Sequence, residues 1–264
     1  MTTSASGSCR NSLEEDLFSP QFFRVTAVLS FAAIVAFAAG HFLLFFVLRD
    51  PPYPLQVHLN LDNEGNISTW INSLMLLAAS IAAFLVSWTL NKNRQMAETG
   101  GRARRERIGW LFTGLAFLYL ATDDAAQIHD VLAGVLVNRL RELTPAASEN
   151  ILWYAWIPVF IVLGILTILL LTPMIRRTLM QDRSVIRLVV AGVFCFMANP
   201  IVEILENMRV DLLPQDLKMK GVEALMDFNP RAWQELQGLI ILEESLEMIG
   251  AVCFLLGFLL IGRK

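Results

Sequence analysis

Six separate stretches of this chain are apolar for long enough to cross a bilayer, and that repetition removes most soluble folds from consideration. A hydrocarbon core of roughly 30 Å takes about 20 helical residues to span. Runs of that length lie near residues 22–48, 68–90, 108–132, 151–173, 185–207 and 236–262. In lipid, every backbone N–H and C=O must be paired within its own segment or barrel, so runs of this kind form helices. Composition agrees: 55% of the 264 residues are hydrophobic and only 17% charged, too apolar for an ordinary soluble domain. The expected fold is all-α, a polytopic bundle of six transmembrane helices in one domain over residues 21–264. Residues 1–20, rich in Ser and Thr, are expected to form a disordered tail.

Basic residues set the expected orientation. Lys92, Arg94, Arg102, Arg104, Arg105 and Arg107 follow the second run, Arg176, Arg177, Arg183 and Arg187 follow the fourth, and Arg263 and Lys264 follow the sixth. With Arg10 and Arg24, these fall on one side of a six-span topology, where the positive-inside rule places the cytoplasm. Both termini are therefore expected to be cytoplasmic, in a multi-pass protein of the cell's inner (plasma) membrane. The first run follows a long polar head and lacks a small-residue cleavage site, so it reads as an uncleaved helix. The 3 cysteines form neither a disulfide framework nor a CxxC metal motif. The expected partners are membrane lipids together with a membrane-protein partner or a second copy of the chain. No nucleic-acid-reading motif is present.

Against this background seven acids stand out. Asp123 and Asp124 lie in the third run, Glu203 and Glu206 in the fifth, and Glu243, Glu244 and Glu247 in the sixth. A carboxylate at bilayer depth costs roughly 2.5 kcal/mol or more, so such groups face the protein interior and mark sites or ion paths. At about 1.5 Å per residue, all three groups reach the outer half of the membrane. A step of roughly 100° per residue gathers Glu243, Glu244 and Glu247 into one arc and Asn199, Glu203 and Glu206 into another. In the third run Tyr119, Asp123, Gln127 and Asp130 share a stripe, while Asp124 and His129 fall to either side; these residues meet in one pocket only if that helix is distorted. Pro200 marks a kink in the fifth run or an ordinary membrane-helix proline. Glu64, in the loop before the second run, either caps the cluster from outside or belongs to a solvated helix start.

Crowded carboxylates in low dielectric either hold protons or are neutralised by cations. The donor set is hard and oxygen-rich, which favours iron, manganese, zinc, calcium or magnesium over thiolate chemistry. The expected ligands of a divalent metal are Asp123, Glu203, Glu206, Glu243, Glu244 and Glu247, with Asp124 and His129 as proton-transfer residues. Helical di-iron proteins use Glu-x-x-His pairs. None occurs here, so nuclearity stays open. His41 and His58 read as structural or solvated. Arg209 and Lys218 are alternative partners for Glu206.

Three segments together, LDNEGNISTW at 61–70, FLYLATDDAAQIHD at 117–130 and EESLEMIGA at 243–251, carry a resemblance. They resemble an uncharacterised family of bacterial multi-pass membrane proteins marked by LDxExxxxxW, DE-x4-HE and EExxE segments. Asp124 and Asp130 stand where that pattern has Glu. The resemblance implies that the acids form one site and implies no activity. By contrast, the HxxxH zinc pair of membrane hydrolases related to alkaline ceramidase is missing, since none of the 3 histidines is so spaced. Three functions then compete: a metal-dependent enzyme acting on a lipid or other apolar substrate, a cation- or proton-coupled transporter, and a non-catalytic subunit of a membrane complex.

Overall fold

The computed structural model describes residues 18–48, 61, 66–92, 102–143, 162, 165, 182–211 and 229–263, and among the described residues all regular structure is helical. The helices are α1 (Pro20–Phe42), continued by a π-helical turn Leu43–Val47, then α2 (Ile67–Lys92), α3 (Arg102–Ala126), α4 (Ile128–Leu143), α5 (Arg183–Asp211) and α6 (Pro230–Gly262). Local chemistry fixes their starts. Ser19 accepts from the Phe22 N–H at 3.1 Å ahead of Pro20, and Asn229 accepts from the Ala232 N–H at 3.1 Å ahead of Pro230. At α2 the Asn66 side chain accepts from the Thr69 N–H at 2.8 Å and from the Ser68 hydroxyl at 2.5 Å. Each side-chain cap satisfies an N–H that the first turn leaves without a helical partner.

Among the described residues, four helical segments are long and apolar enough to cross a membrane: Pro20–Val47, Ile67–Leu90, Arg183–Glu206 and Arg231–Gly262. The protein is therefore a helical membrane protein. Of the six expected spans, the third differs, and the fourth falls almost wholly outside the described residues. The third run does not form one helix over 108–132, because the chain enters the left-handed region at Gln127, with φ 53°. There α3 ends, and α4 restarts with the Gln127 carbonyl accepting from the Val131 N–H at 3.3 Å. A non-glycine residue in that region interrupts the helical ladder, and Asp123 and Asp124 already close the apolar stretch of α3. The fourth run, apart from helical Val162 and Ile165, lies outside the described residues.

The hub of the bundle is α6, which packs against α1, α2 and α5, while α2 packs against α3. In its apolar window 61% is buried, against 22% for those of α1 and α5. The α5–α6 pair is antiparallel and close, because a ring from each helix lies on a glycine of the other. A methyl group at Gly250 would come within 2.5 Å of the Phe196 ring, and one at Gly192 within 2.9 Å of the Phe254 ring. Small residues of this kind let membrane helices approach and gain dispersion contacts. Between α2 and α3 the contact is polar. Ser73, Ser80 and Ser87 recur every seventh residue on one stripe of α2; Ser80 donates to the Gly114 carbonyl at 2.7 Å and Ser87 to the Arg107 carbonyl at 3.1 Å. Each such bond contributes about 0.6–2 kcal/mol in a membrane setting.

Candidate carboxylate site

Three phenylalanines fix where the acids stand. Phe254 of α6 meets Phe117 of α3 edge-on, with ring centroids 4.9 Å apart, and Phe196 of α5 at 5.7 Å. Two helical turns along, toward the start of α6 and on the same face of each helix, stand Asp124, Glu247 and Glu203. The seven-residue spacing repeats the face, and the shared rise keeps the level. An aromatic floor thus underlies the acids, with Asp124 and Glu247 about 10 Å from it at one level and Glu203 one turn beyond, near Glu243.

The α5–α6 register that seats Phe196 on Gly250 continues to Glu203 and Glu243. The Glu243 side chain is hydrogen-bonded to Glu206 and lies within electrostatic reach of Glu203 and Glu244. A hydrogen bond between two carboxyl groups needs a proton on one of them, since an ionised carboxylate only accepts; without that proton, a cation must stand between them. Glu244 falls on the stripe of Gln237, one heptad away, and so turns toward the α1 side of the hub.

Asp123 is 7% exposed, the most buried of the seven, while Asp124, Glu203, Glu206, Glu243, Glu244 and Glu247 are half-buried. Ser73 of α2 donates to Asp124 Oδ2. Next to it, Asn72 is 2% exposed, and its Oδ1 has no hydrogen-bond donor; Asn199 Oδ1 on α5 is buried in the same condition. The structure thus brings together Glu203, Glu206 and Glu243, with Glu244 beside Glu243 but turned toward α1, and sets Asp123, Asp124 and Glu247 at the adjoining level. Among the described residues, no three acid, His or Cys side chains converge closely enough to chelate one metal ion. The side chains of His129 and Asp130, together with Glu64 and His58, lie outside the described residues.

Beyond the acids, toward the start of α6, His41 is fully buried. Its Nδ1 accepts from the Leu61 N–H at 2.9 Å, so Nε2 carries the ring proton and donates to Gln237 Oε1 at 2.8 Å. The π-helical turn after it brings Phe45 and Phe46 onto Trp233, with centroids 5.8 and 5.9 Å apart. Sequence reasoning did not single out Ser73, Asn72 or Gln237. A signal for the first was present, since serines at every seventh position of an apolar helix mark a polar seam.

A search of curated proteins and of solved structures finds no match to the chain. One family model matches residues 27–261, that of the Domain of unknown function (DUF8692). The match covers every described helix but the first turns of α1, and the carboxylate site lies wholly within it. On that extent of agreement, the chain belongs to the DUF8692 family.

Proposed function

We propose that this protein binds a divalent cation in a buried carboxylate layer in the outer half of the membrane and uses it in chemistry on a lipid or other apolar substrate. The observation that carries the reading is the convergence of acids from α3, α5 and α6: Asp124 and Glu247 stand at one level above the Phe117–Phe254 contact, and one turn beyond them Glu203 lies near Glu243, which is hydrogen-bonded to Glu206. Negative groups so crowded, with oxygen donors only, suit a hard cation. Asp123, Glu203, Glu206, Glu243, Glu244 and Glu247 supply its ligands, and Asp124 and His129 move protons. A cation held by these residues would supply Lewis-acid chemistry toward the substrate or toward water. In this reading the chain spans the plasma (inner) membrane of a bacterium six times with both termini cytoplasmic, as the basic 91–107 segment supports.

Elemental analysis of the detergent-purified protein tests the proposal. Stoichiometric metal that is lost in Glu247→Ala and Glu243→Gln supports it; protein that is folded but metal-free, and that takes up none on incubation with Mn²⁺, Fe²⁺, Zn²⁺ or Ca²⁺, rejects it. A second reading, cation- or proton-coupled transport, is favoured by the Glu206–Glu243 pair, whose shared proton is exchangeable, and by Pro200 inside α5 between Asn199 and Glu203. Cation uptake into proteoliposomes that is driven by a proton gradient and abolished by Glu206→Gln would put transport ahead of catalysis.

A further inference from the structure

We infer that the cation's seat is the tier formed by Asn72, Asp124, Glu247 and Asn199, with the two asparagine Oδ1 atoms as neutral ligands. This inference rests on the reading that the acidic layer holds a cation, and it selects both the position and the class of that cation.

Among the described residues three buried side-chain atoms lack hydrogen-bond partners: Asn72 Oδ1, Asn199 Oδ1 and Trp110 Nε1. Trp110 lies well inward, packed edge-on against Phe258 at 5.3 Å, and belongs to the apolar core. The two asparagines are different. Asn72 heads the α2 stripe that continues through Leu76, Ala79, Ala83 and Val86, all 2% exposed or less and all in the core shared with α6. Its neighbour Ser73 donates to Asp124, whose level matches Glu247 through the Phe117–Phe254 contact. Asn199 lies one turn outward of Phe196 on α5, opposite Glu247 in the register that pairs Phe196 with Gly250 and Glu203 with Glu243. Two helices on either side of α6 therefore each set an unpartnered acceptor at the level of Glu247.

A buried carbonyl oxygen needs a donor or a cation. Next to carboxylates, which accept but do not donate, the complement is a cation. Amide oxygens with carboxylates form a ligand set for a hard, oxygen-bound divalent ion such as calcium, magnesium or manganese, and are a poor set for a histidine- or thiolate-seeking one. This placement replaces part of the ligand set proposed above: Asp124 becomes a ligand rather than a proton carrier, and the Glu206–Glu243 pair, one turn further along, becomes a separate seat that holds a proton.

Manganese binding tests this. With Mn²⁺ as the probe, purified protein in detergent is titrated by calorimetry and by loss of the free Mn²⁺ electron paramagnetic resonance signal. Asn72→Leu and Asn199→Leu, each near the shape of the native side chain, should weaken Mn²⁺ binding at least tenfold while leaving the thermal midpoint without Mn²⁺ unchanged or higher. Asn72→Asp should restore binding, and Ca²⁺ should displace Mn²⁺. If Mn²⁺ binds and is lost in Glu247→Gln but not in either Leu variant, this inference fails while the cation-site proposal stands. Loss of binding in Asn72→Asp as well as in Asn72→Leu also overturns it, because the amide then serves as a hydrogen-bond donor. Absence of Mn²⁺ binding by the unaltered protein, with another metal present at stoichiometry, rejects the hard-cation seat alone.

Discussion

A single methyl group added at Gly250 should loosen the joint on which the carboxylate tier depends. The new Cβ would lie 2.5 and 2.6 Å from Phe196 Cδ2 and Cε2 and 3.3 Å from Cys195 Cβ. Carbon atoms settle at about 3.5–4.0 Å, so the ring or the helix must move by about 1 Å. The ring has little room, since Phe254 stands against it at 5.7 Å and Phe117 and Phe258 stand behind Phe254 at 4.9 and 5.9 Å. Overpacking of this kind costs about 1–3 kcal/mol, a factor of roughly 5 to 150 in the folding equilibrium. The control is Gly238→Ala on the same helix, where a Cβ meets nothing within 4 Å. There the alanine should be neutral or stabilising by up to about 1 kcal/mol. Unfolding in mixed dodecyl sulfate micelles, followed by tryptophan fluorescence, measures both. Equal midpoints for the two variants would refute the close α5–α6 approach, and with it the register that sets Glu203 opposite Glu243.

Two further perturbations address other contacts. His41→Ala leaves the Leu61 N–H and Gln237 Oε1 buried without partners, at about 1–3 kcal/mol for each group; in the same unfolding assay, adding Gln237→Leu should recover only the glutamine's share, and complete recovery would show that the Leu61 bond contributes nothing. Cys195 and Cys253 are free, buried and within electrostatic reach of each other across α5 and α6, so one equivalent of mercuric ion added before denaturation should remove two of the 3 thiols from a subsequent thiol titration. Retention of both in the native protein, or the same loss in Cys195→Ser, would contradict the pairing.

The apolar runs located α1, α2 and α5 to within a few residues, because hydrophobic length is a property of the chain alone. The start of α6 was less legible. Its first turns, Pro230–Leu236, carry Arg231, Gln234 and Glu235, which conceal a helix that the Asn229 cap and the Trp233 contacts with Phe45 and Phe46 secure. The break at Gln127 was equally hidden, since a left-handed residue depends on backbone context that Ala-Ala-Gln-Ile does not spell out. For the site, the angular step of a helix gathered the acids of α5 and α6 onto faces. Which turn of one helix meets which turn of its neighbour is decided by Gly250 under Phe196 and Gly192 under Phe254, pairings between residues far apart in sequence. Ser73 belongs to a seven-residue serine repeat that marks a seam, whereas Asn72 escaped notice because a single polar residue in an apolar run carries no periodic signal; its meaning comes from what stands across the helix boundary.

The central position of α6 also has a bearing on biogenesis. Synthesis runs in chain order, so the helix that touches α1, α2 and α5 emerges after all of them. The α2–α3 hairpin has its serine seam to close early, whereas α5 enters the bilayer carrying Glu203 and Glu206 before the surface that shelters them has been made. Until α6 arrives, those two side chains must be shielded by the insertion machinery, by water or by protonation.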